Sequence, residues 1–580
     1  MQQIFNLLSD IFIGRLVLRH SLFLVVLIIY IFFMKDIRFN KGIYANTFIK
    51  LKNLLEDGKM RKYLEEKSTL LVILSAIISG IAFTVDNLGI LMWISFIPLL
   101  YVLIRKENTF IKIFKAGTIF GTTYYLVILH WIFNLYPFEW LDLGKTKSMI
   151  ILFCGWILIS LVEGLVIGII LGIFKYLKIK NDLLNIFTIA SLWFVIEYIQ
   201  EQGVLGFPWG KLAISQVYYL PIIQSVSLFG SSFISFIIIV FNGMILEGII
   251  NYKKNKVIAM KSIFIAILIF IVNIAYGYIR LNDKSYSEKV NVTAVQGNIN
   301  TTEKWQKGDI SKNLNIYKEL TIKAVENSSK YGEKVNVVLW PETAIPIDIS
   351  NNSWILEEYK SLAKSFDITF MTGTFYTDYK SDSYKYNSIV AINDKGDIED
   401  IYFKRHLVPF GEALPFEKFL LEKIPIIKEL NLVDGDLKAG KESIIIDDGN
   451  LKIGCLVCYE SIFPQLVIES VNNGAEVIFI ASNDSWFKDS KAVYEHNNNA
   501  ILRAIESNRY VVRAANTGIS CFIDNRGRIV ERLNPLKRGY INSSVEIRKD
   551  KSLYTMIGEY IIYIIILFIA CIYLIAQFIY

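Results

Sequence analysis

Three short runs in the sequence each carry a group suited to acyl chemistry: Trp340-Pro341-Glu342, Phe403-Lys404-Arg405-His406 and Cys458-Tyr459-Glu460. A thiolate attacks an acyl carbon, a carboxylate accepts the thiol proton, and an ammonium holds the oxyanion that develops. Together such groups make and break an acyl-thioester. Cys458 ends the apolar run from Lys452 to Val457 and precedes a helical pattern. Its sulfur is therefore expected at a strand-to-helix turn, beside backbone N–H groups that favour a thiolate and bind an oxyanion. Glu342 follows Val337-Val338-Leu339-Trp340-Pro341, a strand stopped by proline, which puts a candidate general base at the end of a sheet. Lys404 follows Ile401-Tyr402-Phe403 and is suited to hold a carboxylate and an oxyanion.

Other readings use the same residues. Cys455 and Cys458 form a Cys-x-x-Cys pair, suited to redox chemistry or half a zinc site, but no second Cys/His pair has ligand spacing. A Cys–His enzyme would draw its imidazole from His20, His130, His406 or His496; His406 is two residues from Lys404, and His496 lies in Tyr494-Glu495-His496-Asn497. Taken singly, a free cysteine is most often a buried apolar residue and a Glu or Lys a surface charge. The shared placement at strand ends sets these three apart.

The elements that hold them are short apolar runs alternating with helical patterns between 286 and 550, among them 290–295, 335–340, 368–374, 388–393, 451–458 and 477–482. That alternation predicts a layered α/β fold, and Glu342, Cys458 and Asp484 each fall at or just past a strand's carboxyl end, where α/β sites collect.

The rest of the chain is a different kind of sequence. Of 580 residues 53% are hydrophobic, concentrated in segments of about spanning length near 69–85, 87–104, 116–133, 149–174, 184–199, 221–249, 262–279 and 557–580, with a weaker one at 21–34. Connectors at 35–68, 105–115, 175–182 and 250–261 are rich in Lys and Arg, whereas those at 86, 134–148 and 200–220 carry only Lys145, Lys147 and Lys211. The basic set is expected in the cytoplasm, which by parity puts 286–550 outside it; Arg548, Lys549 and Lys551 weigh weakly the other way. The net charge of +7 comes without a basic tract interleaved with aromatics, so no nucleic-acid partner is expected. Of the five cysteines, Cys154 and Cys571 lie in apolar segments, and no disulfide framework is suggested. Neither a Gly-rich phosphate loop nor clustered histidines point to a cofactor or metal.

The three motifs resemble the Glu-Lys-Cys triad of the nitrilase (carbon-nitrogen hydrolase) superfamily, and the membrane frame narrows the resemblance to the apolipoprotein N-acyltransferases. Further similar stretches are AVQGNIN at 294–300 with Lys304-Trp305, KRHLVPFGEALPF at 404–416, SNDSWF at 482–487, Glu495-His496, RAIESNRYVVRAANTG at 503–518, and Glu197 followed by GFPWG at 206–210. The resemblance spans about 69–580 and implies a multi-span α-helical membrane domain plus an α/β nitrilase-like catalytic domain, an α-β-β-α sandwich. The divisions it implies are a seven-span domain at 69–280, a catalytic domain at 286–550 and a last helix at 557–580; residues 1–68 add an apolar segment and basic connector outside the family core. It further implies transfer of a fatty acyl chain from a phospholipid of the bacterial cytoplasmic membrane, through a thioester on Cys458, to the α-amine of a diacylglyceryl apolipoprotein, on the membrane's outer face and without a cofactor. Glu342 is then the base, Lys404 and the Tyr459 N–H hold the oxyanion, Glu412 and Glu460 position Lys404 or close the site, and Trp305 and Trp209 touch substrate. Tyr136, Phe138 and Trp140 join Trp209 as aromatics of the outer loops. A membrane-anchored nitrilase-like amidase, using water as acceptor, is the competing enzyme; the GFPWG loop and the many spans are more than an anchor requires. A transporter or receptor with a ligand-binding soluble domain would leave the three strand-end groups without a purpose.

Overall fold

In a computed structural model, the chain is described over residues 68–579 apart from 106–107, 138–143, 284–286, 306–309, 380 and 424–436. The expected N-terminal segment and connector, except Ser68, and the loop residues Phe138 and Trp140 lie outside the described residues.

Among the described residues six helices are long and apolar enough to cross a bilayer: Phe110–Leu135, Lys145–Leu177, Asp182–Gln200, Ser231–Asn251, Lys256–Asn282 and Tyr560–Gln577. Ser68–Thr84, Gly89–Ile104 and Leu220–Phe229 are shorter apolar helices. Two stretches differ from the uninterrupted spans expected from hydropathy. Residues 87–104 form a 3₁₀ turn, Gly89–Leu91, and two helices, Met92–Ser95 and Ile97–Arg105. Residues 221–249 break at Gly230, where φ is 79°, after the short helices Leu220–Ile223 and Val226–Phe229. A side chain at Gly230 would begin 2.5 Å from the ring of Tyr554, so glycine meets both the backbone turn and the close approach there.

Thirteen strands follow among the described residues. One sheet contains β1 (Lys289–Gln296), β2 (Val337–Leu339), β3 (Ile345–Asp348), β4 (Thr369–Thr377), β5 (Lys385–Ile392), β6 (Ile398–Phe403) and β13 (Gly539–Glu546), ordered β13-β1-β2-β4-β5-β6 with β3 beside β4. The other contains β7 (Ile445–Asp447), β8 (Lys452–Val457), β9 (Val477–Ser482), β10 (Tyr510–Ala515), β11 (Ser520–Ile523) and β12 (Ile529–Leu533), in reverse order of sequence. Both have parallel centres, β1-β2-β4 and β8-β9-β10, with antiparallel flanks. β1 and β13, distant in sequence, pair over eight residues, from Lys289 opposite Glu546 to Gln296 opposite Gly539.

The inner faces meet in a core that includes Val292, Leu339, Met371 and Ile389 from one sheet and Ile453, Cys455, Phe479 and Val512 from the other. Helices Ile310–Lys330 and Ser353–Phe366 cover the first sheet, through Leu314, Tyr317, Ile355 and Tyr359. Helices Pro464–Asn472 and Lys491–Ser507 cover the second, and there the layer is shared: Val467, Ile501 and Leu502 belong to one apolar cluster with Ile223, Val226 and Ile234 of the membrane bundle. This is the expected α-β-β-α sandwich, with one outer layer fused to the bundle.

The three poorly charged connectors all reach the sandwich. Asp86 accepts a hydrogen bond from Lys491 (2.6 Å), the Tyr136 carbonyl from Lys488 (2.7 Å) and the Gly206 carbonyl from the Tyr459 hydroxyl (2.8 Å). They lie on the same side of the bundle as the two sheets.

Candidate active site

Cys458 stands immediately after β8, at the start of the 3₁₀ turn Cys458–Ile462. Its φ of 52° is unusual for a residue with a side chain, a conformation kept only where surrounding structure dictates it. Glu460 supplies much of that constraint. Fully buried, its carboxylate accepts from the N–H of Val457 (2.7 Å), from the N–H groups of Arg405 (2.6 Å) and His406 (3.1 Å), and from the Tyr402 hydroxyl (3.0 Å). One side chain thus fixes the cysteine turn to the segment carrying Lys404, although the two belong to different sheets.

Lys404 follows β6 and is 1% exposed. Its ammonium lies 3.1 Å from Glu342 Oε1 and 2.8 Å from Glu412 Oε2. Asn387 of β5 donates from Nδ2 to Glu342 Oε1 and to Glu412 Oε1, each at 2.9 Å, and the Val408 N–H donates to Glu412 Oε2 (2.9 Å). Two carboxylates, one ammonium and one amide form a closed network, buried at Glu342, Lys404 and Asn387 and half-buried at Glu412. Glu342 reaches it from a tight turn against β4, where the α-carbon of Gly373 faces it; a Cβ on Gly373 would lie 2.5 Å from Glu342 Cα.

The electrostatics set the resting protonation states. Burial pushes the Cys458 thiol up and Glu342 and Asp484 add to this, while Lys404 opposes them; the net effect is a thiol well above its ordinary range. Burial also works against the Glu342 carboxylate, but Lys404 and then Lys304 overcome it and hold the carboxyl below its usual value. Lys404 is held above the ordinary lysine range because Glu342 and Glu412 outweigh its desolvation. The site at rest holds a neutral thiol, a carboxylate and an ammonium.

Behind the cysteine, His496 occupies both ring nitrogens: Nδ1 lies 2.9 Å from Asp484 Oδ1, and Nε2 lies 3.1 Å from the Cys458 carbonyl and 3.0 Å from Ser461 Oγ. Arg513 completes the group at 2.8 Å from Asp484 Oδ2. His496 is thus bonded to the backbone of the cysteine turn. His406 lies against Phe463, the rings tilted by 36° with centres 4.0 Å apart, and burial followed by Lys404 lowers its pKa to about 4, so it is neutral near pH 7. Cys458, Asp484 and His496 offer three atoms within 4.8 Å of one another, the outline of a metal site, but the Arg513 guanidinium already fills the cation's place beside Asp484. Cys455, the other half of the Cys-x-x-Cys pair, lies fully buried between the sheets.

The remaining expected residues separate. Trp305 is 41% exposed, beside Phe375 with ring centres 6.1 Å apart. Trp209 is buried, donating from its indole to Glu495 Oε2 (2.8 Å) among Trp131, Phe207 and Phe487. Apart from these expected residues, Glu163, a carboxyl within a membrane helix, accepts from Gln200 (2.6 Å), whose Nε2 also meets the Tyr125 hydroxyl (2.9 Å). Asn387 and Lys304 enter the site without having been singled out as functional in the sequence. Asn387 reads there as one polar residue in a strand, and no spacing rule ties it to Glu342.

Comparison with known proteins covers both parts of the chain. The carbon-nitrogen hydrolase family matches residues 291–549, and the apolipoprotein N-acyltransferase N-terminal domain matches residues 75–244. The apolipoprotein N-acyltransferase of Geobacter metallireducens is 29% identical over 496 residues, covering 84% of this chain and 91% of that one. That of Wigglesworthia glossinidia brevipalpis is 31% identical over 451 residues, covering 76% and 84%. The chain belongs to the apolipoprotein N-acyltransferase family.

Proposed function

We propose that this N-acyltransferase moves a fatty acyl chain from a membrane phospholipid to the α-amine of a diacylglyceryl apolipoprotein through a thioester on Cys458. The observation that carries the assignment of roles is the closed network of Lys404, Glu342, Glu412 and Asn387, whose charges act on a thiol set in a strained turn.

In the first half-reaction Cys458 Sγ bonds to the ester carbonyl carbon while Glu342 takes the thiol proton. With the thiol held high and the carboxylate low, that transfer is uphill at rest, so it proceeds together with attack. The carbonyl oxygen becomes an oxyanion, held by Lys404 and the Tyr459 N–H. The C–O bond then breaks, and Glu342 returns the proton to the leaving lysophospholipid oxygen. In the second half-reaction the amine bonds to the thioester carbon, Glu342 takes an amine proton, the C–S bond breaks and the thiolate is reprotonated. Glu412 and Asn387 hold Lys404 and Glu342 in register throughout, and Glu460 ties the lysine segment to the cysteine turn.

Both substrates are lipids, and extracting their chains into water costs about 0.8 kcal/mol per CH₂. The link from Tyr459 to the Gly206 carbonyl supports a site opening at the bundle, with lipid entering from the bilayer. Exposed Trp305 is assigned to contact with acyl donor or acceptor, and Trp209 to holding the loop at 206–210 against Glu495. The poorly charged loops share a side with the sandwich, and the basic loops then face the cytoplasm, which supports a catalytic domain outside the cytoplasmic membrane.

The test is mass spectrometry of Cys458 after exposure of the full chain to phospholipid without acceptor. An acyl adduct on Cys458, discharged when a diacylglyceryl peptide with a free amine is added, is the expected result. An adduct on another residue, or none while turnover continues, overturns the assignment.

A further inference from the structure

The short helix Thr301–Lys304, capped by the Asn300 side chain on the Glu303 N–H (2.9 Å), ends on a buried lysine and is followed by a more open tryptophan: Lys304 is 2% exposed, Trp305 is exposed, and the Lys304 ammonium lies 5.6 Å from the centre of the Trp305 ring. The Lys304 ammonium donates to the Glu342 carbonyl (3.0 Å) and to Thr343 Oγ1 (2.6 Å). Thr343 has a φ of 45°, a costly conformation for a β-branched residue, so the turn that aims Glu342 needs support from outside itself. A buried ammonium is expensive unless it is bonded, and both acceptors found here belong to that turn.

We propose that Lys304 is a second, positioning cation of the site, which clamps the strained Glu342–Thr343 turn through two hydrogen bonds and keeps the Glu342 carboxylate ionised. The inference rests on Glu342 acting as the base. Two cations act on Glu342, Lys404 and then Lys304; Glu412 shares Asn387 and Lys404 with it, and Cys458 faces the group across the sheets. Burial lowers Lys304 to about 7, against the pull of Glu342 and then Cys458. It is therefore charged in the acid range where Glu342 titrates and loses charge above pH 7, while a neutral amine still donates to the carbonyl and hydroxyl. Because Lys304 and Trp305 are adjacent, the clamp is also set by the helix that presents the exposed tryptophan.

The two actions separate in two variants. Lys304→Gln keeps a donor and removes the charge; Lys304→Met removes both. Single-turnover acylation of Cys458 by phospholipid, followed across pH in the full chain, reads each. In Lys304→Gln the high-pH rate stays within a few-fold of the parent and the acid limb moves to higher pH, because the Glu342 carboxylate has lost a cation. In Lys304→Met the acid limb moves likewise and the high-pH rate falls about ten- to a hundredfold, the scale of a misaimed reacting group. An acid limb unmoved in Lys304→Gln overturns the electrostatic part, and a parent-like plateau in Lys304→Met overturns the clamp. If Lys304→Met does not fold, Lys304→Gln and Thr343→Val decide: Thr343→Val removes one acceptor and should slow the plateau without moving the limb, and an unchanged plateau counts against the clamp. Glu342→Gln in the same assay separates the two claims, since acylation at the parent rate there removes the base reading itself.

Discussion

Replacing Asn387 with leucine, of similar volume, isolates the amide that joins the two carboxylates. The change removes one N–H from Glu342 and one from Glu412, each a 2.9 Å bond to a charged oxygen. Such bonds contribute about 1.5–3 kcal/mol each. Glu412 keeps Lys404 and the Val408 N–H, whereas Glu342 Oε1 keeps only Lys404, so the loss falls mainly on Glu342, the proposed base. If that one bond orients the carboxylate in the transition state, about 1.5–3 kcal/mol corresponds to an acylation slower by roughly 10- to 160-fold, at a factor of ten per 1.36 kcal/mol. The pH dependence has a defined sign. Asn387 is among the groups holding the Glu342 carboxyl below its ordinary value, so the carboxylate is present at neutral pH and is lost as pH falls through that lowered pKa. Without the amide the loss begins at a higher pH. The assay is the rate of Cys458 acylation by phospholipid, read by mass spectrometry in rapid-quench samples across pH, with thermal melting to establish that the variant is folded. A folded Asn387→Leu variant with the parent rate and the parent acid limb would refute the network as the source of the base's alignment.

Cys458→Ser should form no thioester and Cys455→Ala should still form one, since Cys455 is buried between the sheets with its thiol pushed up by burial; intact-mass measurement of each variant after lipid exposure checks this. Asp484→Asn leaves Arg513 buried opposite a neutral group and should destabilise the fold by about 3–5 kcal/mol in chemical denaturation; a change below 1 kcal/mol would remove the pair from the structural core. Asp484 is held below the ordinary carboxyl range, with Arg513 and His496 outweighing burial, so its contribution is full above an unfolded pKa of about 3.9 and fades as pH falls toward the folded value. Melting temperature followed from pH 6 to pH 3 should therefore fall less in Asp484→Asn than in the parent. Protease applied outside spheroplasts should cut sites engineered into exposed loops of the catalytic domain; cutting only after the membrane is opened would reverse the orientation.

Much of this site is legible in the sequence because its main residues stand at ends of strands whose Val- and Ile-rich runs announce them. β1, β4, β5, β8 and β9 fall where apolar runs of four to eight residues predict, and Glu342, Lys404 and Cys458 inherit their places from the adjoining strands. What sequence does not show is contact made across elements. Asn387 matters because β5 lies between β4 and β6, and Lys304 because a four-residue helix folds back on another strand's turn. The helix Lys491–Ser507 is the clearest case. Glu495, His496, Asn497, Asn498, Asn499, Arg503 and Glu506 give it the composition of a solvated helix, yet all are buried, because the sheet lies on one side and the bundle on the other. Hydropathy records neither neighbour. The interrupted segment at 221–249 has a similar origin: Gly230 reads as one small residue in an apolar run until Tyr554 is seen against it.

The pairing of β1 with β13 carries a consequence for how the molecule is made. Strand β1 leaves the ribosome about 240 residues before its partner, and at typical synthesis rates the interval is on the order of tens of seconds. Through that time β2 can cover one side of β1, but the other presents eight residues of unpaired backbone, Val290, Val292 and Val295 among them, as an open template for any extended segment nearby. Between the strand that closes it and the apolar helix Tyr560–Ile579 lies only the short helix Leu553–Ile557. Closing the sheet and inserting the apolar helix are therefore closely spaced events in synthesis, and an arrest or truncation shortly before 539 would release a chain carrying every proposed catalytic residue but an open edge. Such a chain should be lost to aggregation or proteolysis rather than to any defect in its chemistry.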